Sequence, residues 1–246
     1  MSDWLGLDGQ RVLLAGAGTL GAGVAAGFLA AGARVVAVDA SAENLAGLAD
    51  LEKTIPADLT DPSACRDAVA QALEVLGGLD VLIHCVGINR RLPINELTDA
   101  DWHDIVAVNQ TSAFALAQAA LAPMRTQGHG RVIFFSSVAG LMGHRNHGPY
   151  AATKGAINQL TKVMAHEYAA DGVTVNSVAP GYMDTQLTEA YFAANPGRRE
   201  ALISLIPAGR FGRTEEVVDT VLFLASPRAS FINGQIIYID GGRTVV

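Results

Sequence analysis

The sequence predicts one doubly wound α/β domain, with helices covering both faces of a seven-stranded parallel sheet. Short apolar segments alternate with alanine-rich helical segments along the chain. The apolar segments, such as "VLLA" and "RVIFF", are continuous rather than alternating, which is typical of parallel strands buried on both faces. Half of the residues are hydrophobic and 17% are charged, so a large core can form. We expect a single domain over residues 1–246.

Each predicted strand is a short apolar run, and each predicted helix is an alanine-rich segment between two such runs. The first half of the chain gives strand 11–15, helix 20–31, strand 34–38, helix 41–50, strand 53–57, helix 61–76 and strand 79–84. The second half gives helix 99–127, strand 130–136, helix 149–170, strand 173–178, helix 214–225 and strand 235–239. Asp61-Pro62 supports a helix start, because proline is favoured at the first helical position. The broken polar segment 183–213 is expected to form a lid over a ligand.

Charge and cysteine content exclude several classes of protein. The formal net charge is −7 and no basic run stands out, which argues against a nucleic-acid partner and against an anionic membrane surface. The apolar stretches are interrupted well short of the ~20 residues of a membrane span, and the first residues lack a secretory signal pattern. Cys65 and Cys85 stand apart, so neither a disulfide nor a metal site is expected. These features predict a cytoplasmic protein.

A glycine-rich segment, "AGAGTLGAG", follows the first predicted strand and opens a helix. Gly16, Gly18 and Gly21 form a GxGxxG pattern, in which backbone amides at a helix N-terminus can approach a pyrophosphate without hindrance. Asp39 ends the second strand and could accept hydrogen bonds from both hydroxyls of an adenosine ribose. The sequence therefore predicts a dinucleotide site.

The residues near Asp39 favour NAD over NADP. A carboxylate would repel a 2′-phosphate, and no Arg or Lys occupies 15–23 or 40–42 to receive one. Asp58 follows the third strand, and two interpretations of its role are open. It could contact the adenine amino group, or it could be a turn or helix-capping aspartate.

A helical pair carries the prediction of an enzyme. Tyr150 and Lys154 are four residues apart on a predicted helix and so share one face. An ammonium beside a phenol favours the phenolate and lowers the pKa of the phenol. Tyr150 would then serve as an acid or base near neutral pH.

Four further segments join this pair. They are "SSVAG" with Ser137, "VNQTSAF" with Asn109, "NSVAPGYMDT" after the sixth strand and the C-terminal "FINGQIIYIDGG". With "YAATK", they resemble the short-chain dehydrogenase/reductase family over essentially the whole chain. The resemblance implies a Rossmann fold and an oxidoreductase that acts on an alcohol or a ketone.

The resemblance also implies a role for each matching residue. Tyr150 would exchange the substrate proton, Lys154 would hold the nicotinamide ribose, Ser137 would bind the substrate oxygen and Asn109 would help to hold a water. The implied cofactor contacts are Gly16, Gly18, Thr19, Leu20, Gly21, Asp39, Asp58, Leu59, Gly87, Tyr150, Lys154, Pro180, Gly181, Met183 and Thr185. A homotetramer packed through helices 99–127 and 149–170 is implied as well.

Two segments depart from the family pattern. The glycine loop is one residue shorter, and the middle glycine is missing. The usual Asn-Asn-Ala-Gly is "HCVG" here, and we interpret His84 as a hydrogen-bonding substitute inside the sheet rather than a catalytic base.

Basic residues flank the predicted pocket and suggest an anionic substrate. They are Arg90, Arg91, His144, Arg145 and His147. "GINRR" and "PGYMDT" also resemble the gluconate 5-dehydrogenase-like branch of the family, which implies a sugar acid or polyol. Two alternatives stay open. One is a 3-oxoacyl-carrier-protein reductase, and the other is a non-catalytic NAD(H)-binding regulator.

Overall fold

The computed structural model describes residues 4–184, 192 and 197–246. All seven strands are parallel and lie in the order β3-β2-β1-β4-β5-β6-β7. The strands are β1 Arg11–Ala15, β2 Arg34–Asp39, β3 Lys53–Pro56, β4 Val81–His84, β5 Gly130–Phe135, β6 Val173–Pro180 and β7 Ile236–Ile239. The doubly wound sheet predicted from the sequence is confirmed. The strand order reverses between β1 and β4, and such a switch point is where ligands bind in open α/β sheets.

The predicted helices follow the predicted order, and a short helix that was not predicted lies within the segment expected to form a lid. The helices are α1 Thr19–Ala30, α2 Ala42–Ala46, α3 Pro62–Leu76, α4 Asp99–Val106, α5 Ser112–Gln127, α6 Gly148–Tyr168, α7 Arg198–Ile203 and α8 Thr214–Ala225. Helix α2 is shorter than predicted because its C-cap is Gly47, a residue with low helix propensity. The predicted helix 99–127 is divided by a π-helical turn, Ala107–Thr111.

Alternate strand side chains fill two cores, one on each face of the sheet. Leu13 points to the face covered by α3, α5 and α6, whereas Leu14 points to the face covered by α1 and α8. Phe28 of α1 and Val221 of α8 are completely buried on that second face. Both faces of the sheet are thus covered, which accounts for the continuous apolar strand sequences.

The stretch Asp99–Gln127 is long and apolar enough to cross a membrane by those two criteria alone. Half of its most apolar window is buried inside the protein, and core helices of globular proteins meet the same criteria. Leu116 and Leu121 lie in the core cluster that packs on β1, β4 and β5. Packing against the sheet accounts for the apolar composition of this stretch.

Candidate active site

The glycine loop forms a tight cradle at the carboxyl end of β1. Only Gly16, Ala17 and Gly18 separate β1 from α1. Gly16 has a φ of +96°, and a Cβ at Gly21 would lie 1.9 Å from the carbonyl oxygen of Gly16. These two glycines are therefore needed for the close packing of the loop against its own helix.

Gly18 has a different environment. It is the N-cap of α1, no side chain caps that helix end, and a Cβ at Gly18 would meet no atom within 4 Å. The unpaired amides of Thr19 and Leu20 begin a helix beside this open space. An exposed helix N-terminus next to open space fits a pyrophosphate group.

Asp39 lies at the end of β2 and fixes this loop. Its carboxylate accepts hydrogen bonds from the backbone amide of Ala17 at 2.6 Å and from that of Ser41 at 2.7 Å. The Asn44 side chain lies 3.4 Å from the same carboxylate. Asp39 therefore connects the glycine loop to the start of α2, in addition to any contact with a ribose.

Asp58 has the geometry of a turn residue. One of its carboxylate oxygens accepts hydrogen bonds from the amide and the hydroxyl of Thr60, at 2.9 and 2.8 Å. Of the two interpretations that the sequence left open, this geometry favours a turn aspartate over a contact with the adenine amino group. The side chain of neighbouring Leu59 is buried in the core, so only its backbone could contact a cofactor.

Tyr150 lies in the first turn of α6, and Lys154 lies one turn later. The Lys154 Nζ atom is 5.6 Å from the centre of the Tyr150 ring and donates a hydrogen bond to the carbonyl of Phe135 at 2.7 Å. Ser137 lies two residues after the end of β5 and caps the short 3₁₀ turn Val138–Gly140. The structure thus brings these three side chains together at the carboxyl end of the sheet.

Burial determines how this pair titrates in the cofactor-free protein. It raises the pKa of Tyr150, while a hydrogen bond to Ser137 and the charge of Arg91 act in the opposite direction. Burial also lowers the pKa of Lys154 to about 8. The expectation that Lys154 lowers the pKa of Tyr150 is not met here, because Phe135 engages its ammonium and burial outweighs the groups that favour the phenolate.

Asn109 is completely buried and lies within the π-helical turn. Its Oδ1 accepts from the amide of Ile88 at 2.8 Å, and its Nδ2 donates to the carbonyl of Ile88 and to Thr153 Oγ1. A Cβ at Gly87 would lie 3.3 Å from Lys154 Nζ and 3.6 Å from Asn109 Oδ1. Asn109 therefore fixes the loop after β4 against α6, next to the Lys154 ammonium.

His84 forms a hydrogen bond from within the sheet, as interpreted from the sequence. Its Nε2 lies 2.8 Å from Ser112 Oγ, which itself donates to the Val108 carbonyl near the π-helical turn. Burial and the charge of Lys154 lower the pKa of His84 to about 3. A neutral, buried imidazole in β4 is suited to a structural role.

The predicted nicotinamide end of the site follows β6. Gly181 donates to the carbonyl of Ile239 at 3.0 Å, and a Cβ at Gly181 would lie 3.0 Å from that of Asp240. Met183 is buried and pairs with Gly212. Pro180 ends the strand.

Thr185 lies outside the described residues, as does part of the predicted lid 183–213. In the described part of that segment, Arg199 of α7 forms an ion pair with Asp184 at 2.7 Å. Its guanidinium also lies 5.0 Å from the centre of the Phe211 ring. These contacts attach α7 to the chain that follows β6.

The structure separates the five basic candidates for substrate binding. Arg90 is paired with Asp101 and Asp104 of α4, and Arg145 is exposed. The His147 ring lies edge-on to the Tyr150 ring with the centroids 6.2 Å apart, and the His144 ring is 5.6 Å from that of His147.

Arg91 belongs with the two histidines. Its charge acts on the pKa of both Tyr150 and His147. The two histidine rings thus lie in line with Tyr150 and the Arg91 charge acts on the same group, whereas the side chain of Arg90 is engaged by α4.

Arg243 follows the last strand and is not among the site residues predicted from the sequence. Its charge acts on the pKa of His144. The segment "IDGG" before it places it beyond the carboxyl end of β7, where ligands bind in such sheets. That position is the signal that could have identified it.

Comparisons with known proteins identify relatives that match this chain over nearly its whole length. A family model described as enoyl-(acyl carrier protein) reductase matches residues 15–244. The chain is 37% identical to a gluconate 5-dehydrogenase of Gluconobacter oxydans, covering 99% of this chain and 98% of that protein. It is 34% identical to a 3-oxoacyl-acyl-carrier-protein reductase of Vibrio cholerae, covering 98% of this chain and all of that one.

Two solved structures show the same architecture. A gluconate 5-dehydrogenase from Burkholderia cenocepacia, in complex with NADP and tartrate, superposes with a TM-score of 0.91 at 34% identity, over 99% of this chain and 98% of that one. A putative 2-deoxy-D-gluconate 3-dehydrogenase from Agrobacterium tumefaciens, with bound NADP, gives 0.90 at 34% identity, over 98% and 99%.

Proposed function

The chain belongs to the short-chain dehydrogenase/reductase family and is a nicotinamide-dependent oxidoreductase of CH–OH and C=O groups. On this premise we propose that it uses NAD and interconverts a secondary alcohol and a ketone on a sugar acid or related polyol. One observation carries the proposal: Ser137, Tyr150 and Lys154 meet at the same sheet edge as the glycine cradle.

The mechanism assigns a task to each of these side chains. The bound nicotinamide would supply the hydride chemistry. Tyr150 would give its phenolic proton to the carbonyl oxygen during reduction and take it back during oxidation. Ser137 would hydrogen-bond that oxygen, and Lys154 would hold the nicotinamide ribose. Because burial raises the pKa of Tyr150, the resting phenol is ready to donate, and alcohol oxidation should accelerate as pH rises.

An activity panel tests the proposal. Purified protein is mixed with NAD or NADP and a set of sugar acids, polyols and simple secondary alcohols, and nicotinamide absorbance is followed. Tyr150→Phe should lower kcat by about 10²–10⁴, because the proton donor is lost. Tyr168→Phe, a half-buried tyrosine on the same helix, is the matched control and should leave kcat unchanged. Unchanged turnover in Tyr150→Phe would refute the mechanism.

The preference for NAD rests on Asp39. Its carboxylate is held in place by Ala17 and Ser41, and no Arg or Lys occupies 15–23 or 40–42. Asp39→Ala should lower the ratio of kcat/KM for NAD over NADP at least tenfold, about 1.4 kcal/mol. Asp39→Asn removes the charge and keeps an acceptor for one of the two amides, which donate to different oxygens of Asp39, so its melting temperature is compared with that of Asp39→Ala. An unchanged cofactor ratio in both variants would contradict the assignment.

A second activity is supported by an apolar groove. The groove has a volume of about 400 Å³, and its lining includes Ile94, Leu97, Trp102 and Pro149. Pro149 directly precedes Tyr150, so the groove could hold the acyl chain of a 3-oxoacyl thioester. Faster reduction of acetoacetyl thioesters with NADPH than of any keto acid with NADH would establish this activity instead. Binding of NADH without turnover of any substrate would identify a non-catalytic regulator.

We also propose that the protein works in the cytoplasm as a homotetramer. Both cysteines, Cys65 and Cys85, are free thiols. Burial raises the pKa of the first to about 11 and of the second to about 12. Two unpaired thiols suit a reducing compartment.

A further inference from the structure

The C-terminal turn is fixed at the ligand-binding edge of the sheet. Strand β7 ends at Ile239, and the carboxylate of Asp240 then accepts hydrogen bonds from the amides of Gly242 at 2.9 Å and Thr244 at 2.8 Å. The carbonyl of Gly241 accepts from the amide of Ala208, in the segment after α7. The turn therefore holds Arg243 in a defined position beside the site.

Arg243 has a buried donor without an acceptor. Its Nε atom is fully buried and has no hydrogen-bond partner among the described residues, and the same is true of His144 Nε2. A buried polar group left without a partner has lost its hydrogen bonds to water without gaining others. Such an atom near a functional site is therefore a candidate for a ligand contact.

Both groups belong to the ligand-binding edge of the sheet, and the two histidine rings lead from His144 toward the reacting centre. The charge of Arg243 acts on the pKa of His144, and the His144 and His147 rings connect it to Tyr150. No ion pair within the described parts of the chain involves Arg243, His144 or His147. The positive charge of Arg243 is thus not matched by a described carboxylate.

We infer that Arg243 and His144 bind the carboxylate of the substrate and so select sugar acids over neutral polyols. The Nε–H and a neighbouring Nη–H of a guanidinium form a fork that matches the two oxygens of a carboxylate. The substrate would extend from this anchor, past His147, to Tyr150. The inference rests on the proposed function, because it concerns the substrate of the same site.

Paired substrates test the anchor. An aldonate and the alditol of the same chain length are compared with NAD, in the wild type, Arg243→Gln and Arg243→Lys. Arg243→Gln should lower kcat/KM for the aldonate at least tenfold, mainly through KM, and change that for the alditol less than twofold. Arg243→Lys should lie between. Arg66→Gln, the same charge change on the exposed face of α3, should affect neither substrate.

A binding measurement separates this inference from the proposed function. Tartrate is titrated into NADH-loaded protein, with melting temperature as the readout. Tartrate should raise the melting temperature of the wild type and of Arg66→Gln. In Arg243→Gln and His144→Gln, the same rise in melting temperature should need at least tenfold more tartrate.

Three results would overturn the inference: no stabilisation of the wild type, equal losses with aldonate and alditol, or failure of all Arg243 variants to fold. If no alcohol or ketone is turned over by the wild type, the proposed function fails, and the tartrate titration still decides the role of Arg243.

Discussion

The buried Lys154 and the half-buried Tyr150 lie one helical turn apart, and this controls the chemistry of the site. Tyr150 keeps its proton because burial disfavours the phenolate, and Lys154 holds its proton less firmly because burial disfavours the ammonium. A bound dinucleotide would bring phosphates and ribose hydroxyls to the same edge of the sheet. In that complex the ribose hydroxyls would give Lys154 further acceptors beside the Phe135 carbonyl.

The buried Lys154 charge should be visible in the pH dependence of stability. Lowering its pKa from 10.5 to about 8 corresponds to about 3 kcal/mol. Below pH 8 both the folded and unfolded proteins carry the proton, so the folded state bears the full cost. Between pH 8 and 10.5 the folded state loses the proton first, and the cost disappears. The melting temperature of Lys154→Met relative to wild type should therefore be constant below pH 8 and fall between pH 8 and 10.5.

Lys162→Met provides the control, because Lys162 is exposed on the same helix. Its melting temperature relative to wild type should show no trend over this range. A flat profile for Lys154→Met, measured without cofactor, would show that the ammonium is not penalised by burial.

At the residue scale, the sequence predicted best where the pattern is local. The spacing of Tyr150 and Lys154 places both on one face of any helix, so their meeting followed from periodicity. Arg90 and Arg243 depend on tertiary contacts. The acids of α4 engage Arg90, and a turn held by Asp240 brings Arg243 beside the site. No local sequence pattern distinguishes an arginine that forms ion pairs, such as Arg90, from one whose buried donor lacks a partner, such as Arg243.

Among the elements, the loop between β1 and α1 is short, with three residues between the strand and the helix. Its shortness is tolerated because Gly16 adopts a positive φ and Gly21 allows the first turn of α1 to close over the Gly16 carbonyl. Gly18 then stands in the open space before the helix. Gly16 and Gly21 therefore serve the packing of the loop, whereas Gly18 leaves space for a ligand to approach.

Two alanine substitutions separate these roles. Gly18→Ala should leave the melting temperature nearly unchanged, since its φ of −64° suits alanine and its Cβ meets no protein atom. It should weaken NADH binding at least tenfold, about 1.4 kcal/mol, because the Cβ occupies the phosphate approach. Gly21→Ala should instead lower the melting temperature, because its Cβ clashes with backbone. Tryptophan or nicotinamide fluorescence titration and thermal unfolding measure both effects, and equal behaviour of the two variants would contradict the division.

The π-helical turn is the element that the sequence did not predict. The segment "VAVNQTSAFALAQ" has no glycine or proline that would mark an interruption, and its apolar spacing is helical throughout. The turn is stabilised by distant partners, since Asn109 binds Ile88 and Thr153 and Ser112 binds His84. Interruptions of this kind commonly occur at functional sites, where they place one side chain.

On the scale of the whole molecule, the fold collects the carboxyl ends of several parallel strands into one site. The glycine loop, Ser137, Gly181 and Arg243 come from the ends of β1, β5, β6 and β7. That arrangement follows from an all-parallel sheet, so the fold and the edge that carries the site could be predicted from strand–helix alternation. The contacts between subunits could not be predicted in the same way, because the pattern of apolar residues does not show which helix faces meet another chain.

The exposed faces of α5 and α6 should form the contact between subunits. Phe114 on α5 is 45% exposed and Val163 on α6 is 44% exposed, while the opposite faces of both helices lie in the core. Light scattering should give four times the 25.6 kDa chain mass for the wild type. Phe114→Glu should give a smaller assembly, because a charge at this face would be desolvated without a partner.

Ala70→Glu, on the exposed face of α3, introduces the same side chain outside this contact and should remain tetrameric. Both variants keep the core residues of their helices, so thermal unfolding should confirm that each is folded before its mass is compared. A wild-type mass of one or two chains would contradict the tetramer. An unchanged mass for Phe114→Glu would place the subunit contact on another surface, because an exposed phenylalanine in a tetramer interface cannot be replaced by an unpaired carboxylate without weakening the assembly.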